Sequence, residues 1–155
     1  MNLLFLLLLC LQFCLALSAA DPAGFALWKG SDLHAREKSL AAGGKIRTEA
    51  LGNYGNHRAS IIQRQTSGVA EIHEHVVDFL IVEAGEATLV VGGKVSGVKT
   101  TTPGERRGAA IEGGEKHSLA PGDIVHIPVN TPHQFLLSPG KTVTYFTIKV
   151  DVPSK

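Results

Sequence analysis

The sequence predicts an all-β domain, an antiparallel sandwich or barrel, carrying one short helix on its N-terminal side. Three observations lead there. From Lys45 onward, short runs rich in Val, Ile, Thr and aromatic residues recur every eight to twelve residues. Turn-forming clusters separate them throughout: GNYGN, TSG, EAGE, VGGK, TPGE, EGGE, APGD, NTP and SPGK. Outside residues 31–41 nothing carries helical periodicity, and no internal repeat or second composition regime divides the chain.

Taken in order, the first element is not part of the domain. Residues 3–17, LLFLLLLCLQFCLAL, are almost unbroken apolar and are followed by SAAD. Residues 1–20 therefore read as a signal peptide cleaved near Ser18 or Ala20, with export to the periplasm or the extracellular space. The alternative is an uncleaved anchor, since MN supplies no basic residue ahead of the run. The run falls short of the ~20 apolar residues of a spanning helix. Cys10 and Cys14 both lie inside it, so residues 21–155 contain no cysteine. Their stability must come from an ordinary hydrophobic core rather than disulfides. The formal net charge is +1, with basic residues interleaved with acids as in HAREKS and GERRG. That distribution excludes a nucleic-acid footprint and a polybasic membrane patch.

Residues 21–44 form an N-terminal segment with a helix expected over 31–41. Ser31 is the expected N-cap, Leu33 and Leu40 supply an apolar stripe, and Gly43-Gly44 stops it. The stripe should pack on the outside of the β domain, residues 45–152. Strands are expected at KIRTEAL, RASIIQRQ, AEIHEHV, DFLIVE, ATLVVGGKV, KHSL, GDIVHIP, HQFLL and TVTYFTIKV. Residues 96–108, SGVKTTTPGERRG, lack strand character and read as a hairpin or surface loop, with a lid over a pocket mouth as the alternative.

The chemistry concentrates in histidines. In a straight strand, His73 and His75 of EIHEHVVDF point to one face, a geometry that chelates a cation; the alternative is a solvated polar face shared with Glu71. A second segment, PGDIVHIPVNTPHQFLL at 121–137, turns at VNTP and places His133 at the start of a strand. No nucleophile elbow, dinucleotide fingerprint or phosphate loop is present.

Together these two segments resemble the paired motifs of the cupin superfamily, here in its small single-domain, type-2 conserved-barrel form. The first family pattern is Gly, five residues, His-x-His, three or four residues, Glu, six residues, Gly. The chain has Gly68, four residues, His73-x-His75, two residues, Asp78, six residues and Gly85. The second is Gly, five residues, Pro-x-Gly, two residues, His, three residues, Asn. Gly122, Pro128-x-Asn130, His133 and Leu137 stand at those positions. The resemblance implies an antiparallel double-stranded β-helix, a jelly-roll barrel. It also implies a divalent metal ion (Mn, Fe, Zn or Ni) held by His73, His75, Asp78 and His133. Asp78 is one methylene shorter than the usual Glu. It joins the histidines only if the chain reverses within HVVD.

Polar pocket contacts are expected from Gln63, Arg64 and Tyr145. His126 could face the interior as a base or donor, or face outward as a surface imidazole. His34, His57 and His117 read as solvated. Three functions stay open. One is a metal-dependent enzyme (an oxygenase, isomerase or lyase) acting on a small organic molecule. The second is a non-catalytic small-ligand barrel with a partial or vestigial metal site, and the third an assembly scaffold. A homodimer formed by covering the C-terminal run TVTYFTIKV is expected from the resemblance.

Overall fold

In the computed structural model, residues 21–153 are described. Residues 1–20, expected from the sequence to be a signal peptide and containing Cys10 and Cys14, lie outside the described residues. The helix α1 spans Gly30–Ala41 and is followed by thirteen strands. These are β1 (Ile46–Asn53), β2 (His57–Arg64), β3 (Ala70–His73), β4 (Val76–Gly85), β5 (Ala87–Val91), β6 (Lys94–Ser96) and β7 (Lys99–Thr102). They continue with β8 (Glu105–Gly108), β9 (Ala110–Glu112), β10 (Glu115–Leu119), β11 (Ile124–Ile127), β12 (His133–Leu136) and β13 (Val143–Asp151). Among the described residues, no helix is long and apolar enough to cross a membrane.

All pairings are antiparallel. One sheet has the order β1-β2-β13-β4-β11, the other β10-β5-β12-β3-β8-β7, and β6 pairs with β9 in a small third sheet. The chain passes back and forth between the two large sheets, β3 to β4, β4 to β5, β10 to β11 and β11 to β12, which is the winding of a double-stranded β-helix. The C-terminal run expected to be covered by a second copy is instead the centre of its sheet, with β13 flanked by β2 and β4. Its apolar residues are covered within the chain.

Two cores result from the alternation along the strands. Between the sheets, Leu80, Val82, Leu89, Leu119, Ile127, Phe135, Val143 and Tyr145 interdigitate. On the outer face of β2 and β13, Ala59, Ile61 and Phe146 receive Leu33 and Leu40 from α1, with Trp28 and Tyr54 at the margin. The helix thus packs where its stripe predicts. Its N-cap differs: Lys29 holds the extended cap position with no side-chain bond, and Ser31 lies inside the helix, its hydroxyl on Asp32. The segment 96–108 is a hairpin built from β7 and β8 rather than a loop, and β8 pairs with β3 as part of the barrel wall.

Gly85 shows how tightly the β4–β5 turn is drawn against β13. Its φ is +77°, and a Cβ there would lie 2.0 Å from the Thr142 carbonyl oxygen. Gly122 also has a positive φ, +93°, but open space around it. Gly85→Ala should therefore lower stability in urea unfolding by about 2 kcal/mol or more, and Gly122→Ala by only about 1 kcal/mol, the backbone part alone.

Candidate functional site

The interior is apolar at one end and polar at the other. Leaving the packed core, inward-facing residues of β2, β3, β4, β12 and β13 enclose a cavity of about 840 Å³. Its lining includes Arg64, Glu71, His73, Asp78, Glu105, His133, Tyr145, Thr147 and Lys149.

The local chain path decides which of the EIHEHVVDF residues enter it. β3 ends at His73, the chain bends at Glu74-His75, and β4 begins at Val76 in the opposite sheet. Val76 and Val77 do not turn; they open the new strand. The break resets the alternation, so His73 and Asp78 face each other across the cavity, with Nε2 and Oδ2 3.4 Å apart. His75, expected to share the face of His73, sits in the bend instead. It is exposed beside Gly104 and joins no ligand cluster among the described residues.

His133 arrives from β12. Asn130 turns the chain just before it at φ +59°, a left-handed conformation that Asn accepts with little strain, and its N–H donates to the His73 carbonyl at 2.7 Å. The His133 Nδ1–H donates to the Thr131 carbonyl at 3.0 Å, leaving Nε2 pointing inward, 3.8 Å from Asp78 Oδ2. The two imidazole centroids are 5.0 Å apart. The Glu105 carboxylate holds His73 Nδ1 in the same way, at 2.6 Å. In the neutral rings, oxygen acceptors behind both imidazoles favour the tautomer that leaves Nε2 able to accept, the arrangement that orients imidazoles toward a cation.

Sequence reasoning did not anticipate the residue at the centre. Lys149 Nζ donates to both Asp78 carboxylate oxygens at 2.7 Å and lies 3.1 Å from His73 Nε2. An ammonium offers only hydrogens and a carboxylate only acceptors, so His73 Nε2 accepts from Lys149 when the ring is neutral and donates to Asp78, 3.4 Å away, when it is protonated. Glu71 and Glu105 were missed as well. Glu71 pairs with Arg107 at 3.2 Å, and Glu71, His73 and His133 each bring one donor atom within 4.8 Å of the others. Strict alternation along TYFTIKV would have placed Tyr145, Thr147 and Lys149 on one face. Nothing in the sequence ties Glu105 to His73, because their contact depends on the β3–β8 register.

Charges in the cluster set one another's protonation. Burial opposes ionisation of Asp78, yet the hydrogen bond from His73 and the charge of Lys149 bring its pKa down to about 2. Burial and Lys149 work against protonating His73, but Asp78 and Glu105 outweigh them and raise its pKa. His133 is driven the other way, lowered by burial against the opposing pull of Thr131 and Asp78.

Of the pocket residues expected from sequence, Arg64 and Tyr145 line the cavity. Gln63 does not: it shares the opposite face of β2 with Ala59 and Ile61. His126 faces outward from β11 against Phe79, its ring centroid 4.8 Å away, while Ile127 takes the buried position. His117 and His34 are exposed, and His57 stacks on Tyr54 at the surface.

No family model matches the chain, and no curated protein matches it. Solved structures do. A protein of Bacillus halodurans aligns with TM-score 0.57 and 15% identity, over 86% of each chain. A protein of Klebsiella pneumoniae with a double-stranded β-helix domain aligns with TM-score 0.52 and 14% identity, over 73% of this chain and 83% of that one. The DMSP lyase DddQ of Ruegeria pomeroyi aligns with TM-score 0.51 and 15% identity, over 72% of this chain and 49% of that one. The fold is a double-stranded β-helix, and it carries a Glu71/His73/His133 group that could hold a metal ion.

The Asp78 shift makes a pH prediction. A carboxylate with a pKa lowered from 3.8 to about 2 on folding contributes stability that is present above pH ~4 and lost as pH falls through ~2. In chelator-treated protein this amounts to about 2 kcal/mol. Asp78→Asn should remove that part of the acid limb in urea unfolding measured between about pH 5 and pH 2.

Proposed function

We propose that the protein is a cupin-fold binder of a small organic molecule, with a divalent cation held at the polar end of the cavity by His73, His133 and a carboxylate from Asp78 or Glu71. The observation that carries this reading is the pair of inward Nε2 atoms, each backed by an oxygen on Nδ1. Borderline-soft nitrogen donors beside carboxylates suit Mn, Fe, Zn or Ni. When bound, such an ion supplies Lewis acidity toward an oxygen of the ligand. His73 with Glu105 behind it and Asp78 with Lys149 beside it are the groups placed to exchange a proton with that molecule. Residues 1–20 direct the chain out of the cytoplasm on the same reading.

One observation favours a second reading. Lys149 already supplies a positive charge against Asp78 and His73, so the ammonium can take the place of the ion in a metal-free binding site. Metal analysis of protein purified without an affinity metal column separates the two. About one ion per chain supports the first reading. His73→Ala and His133→Ala should then each abolish it, and His75→Ala and His117→Ala should leave it unchanged. Lys149→Met should raise metal affinity, because it removes the competing charge. Content near zero in wild-type protein, unaltered by supplementation with each metal, overturns the first reading in favour of the second.

A further inference from the structure

Four basic side chains line the cavity: Arg58, Arg64, Arg107 and Lys149. Three of them have a carboxylate. Arg58 pairs with Asp151 at 2.8 Å, Arg107 with Glu71 at 3.2 Å, and Lys149 with Asp78 at 2.7 Å. Arg64 has no carboxylate partner among the described residues.

Its guanidinium is held in place all the same. Nε donates to the Tyr145 hydroxyl at 2.8 Å. Cζ lies 5.1 Å from the centroid of Phe135 and 6.0 Å from that of Tyr145, two rings stacked 4.9 Å apart with 2° between their planes. Gly68 makes room for it, since a Cβ there would stand 2.7 Å from Nη1. Fixing the Nε side and the faces leaves the edge formed by Nη1 and Nη2, the fork that matches the two oxygens of a carboxylate. An arginine packed this way has already given up its side-chain freedom, so binding an anion costs little further ordering.

A second observation points along the same wall. Tyr145, Thr147 and Lys149 line the cavity from alternate positions of β13, and buried Thr147 Oγ1 has no hydrogen-bond partner among the described residues. A lone hydroxyl in a cavity wall is satisfied by a polar atom of whatever fills the cavity. From Tyr145 to Lys149 the strand advances ~13 Å, a length suited to a small molecule.

We propose that Arg64 is the anion seat of this cavity and that the ligand is a small organic acid. Its carboxylate rests on the Nη1–Nη2 edge, while its other end reaches past Thr147 toward His73, His133 and Lys149. The inference rests on reading the cavity as a small-molecule site, and not on a metal being bound there.

Titration calorimetry with malonate, succinate, glutarate and benzoate tests it, with succinamide as the neutral counterpart and inorganic phosphate as the other oxyanion. Wild-type protein should bind at least one of the acids saturably and succinamide not at all. Arg64→Met, which keeps the apolar stem, should weaken that binding roughly tenfold or more, and Arg64→Lys should fall between. If thermal unfolding shows that Arg64→Met does not fold, Tyr145→Phe serves in its place. It keeps the ring stack, frees Nε, and should still weaken the acid severalfold. The proposal is overturned if no acid binds saturably, if succinamide binds as well as succinate, or if phosphate binds more tightly than every carboxylate. It is also overturned if the folded variants bind the acid as wild type does. Metal analysis on the same preparations keeps the two readings apart. Acid binding to metal-free protein sustains the Arg64 seat while ending the metal reading, and one ion per chain without acid binding does the reverse.

Discussion

The polar end of the barrel depends on one constraint: Asp78 is a carboxylate with 4% of its surface exposed. An ionised group so placed cannot stay charged without a cation and a full set of hydrogen bonds, because the desolvation cost exceeds what packing returns. Here Lys149, from the far end of the chain, lies on one side and His73, from the strand before, on the other. β13 must therefore lie beside β4 in one register, Lys149 opposite Asp78. That register also places Tyr145 opposite Val82 and Phe146 opposite Ile81, sending Tyr145 into the barrel core and Phe146 onto the helix. A shift by one residue would turn every one of these side chains to the wrong face. The ion pair and the hydrophobic pattern agree on the same pairing.

Polarity changes along the strands rather than between them. Inward residues of β13 run Val143, Tyr145, Thr147, Lys149, and those of β4 run Asp78, Leu80, Val82. Apolar positions meet at one end and polar ones at the other. Burial of the apolar half supplies the stability, at roughly 1.5–3 kcal/mol for each fully buried large side chain. The polar half can then keep a cavity and unpaired groups such as Thr147 Oγ1, which cost stability but leave room for a ligand.

Period-two alternation and turn chemistry are local, so the strands, the helix stripe and the positions of His73 and His133 were legible in the residues. What failed were inferences that carried alternation across an unmarked break. The sequence divides the stretch EIHEHVVDF between AEIHEHV and DFLIVE, with His73 and His75 on one strand, yet the crossing between sheets falls at Glu74-His75, where no Gly or Pro marks it. The same error placed His75 in the site and, in reverse, made Asp78 look remote. Asn130 was visible as a departure from a motif glycine. Its φ of +59° shows that the backbone conformation is kept while the residue changes. Lys149 lay within a run read only as apolar. Glu105 lay in a segment read as a hairpin or loop, and its role depends on a register that no local pattern specifies.

Charge accounting links the two ends of the cavity. Glu71, Asp78 and Glu105 face Arg58, Arg64, Arg107 and Lys149 there, a near balance before anything binds. A divalent ion adds two positive charges beside Lys149, and at a few ångströms in a partly desolvated site like charges repel by several kcal/mol. Either Lys149 turns out to solvent, where its half-buried position on β13 gives it access, or the ion arrives with compensating negative charge. A carboxylate on Arg64 supplies part of that charge at the opposite end of the same wall. On this account cation and organic acid each favour the other's binding by the same factor, as linkage requires, and Lys149 is the side chain whose position would report it.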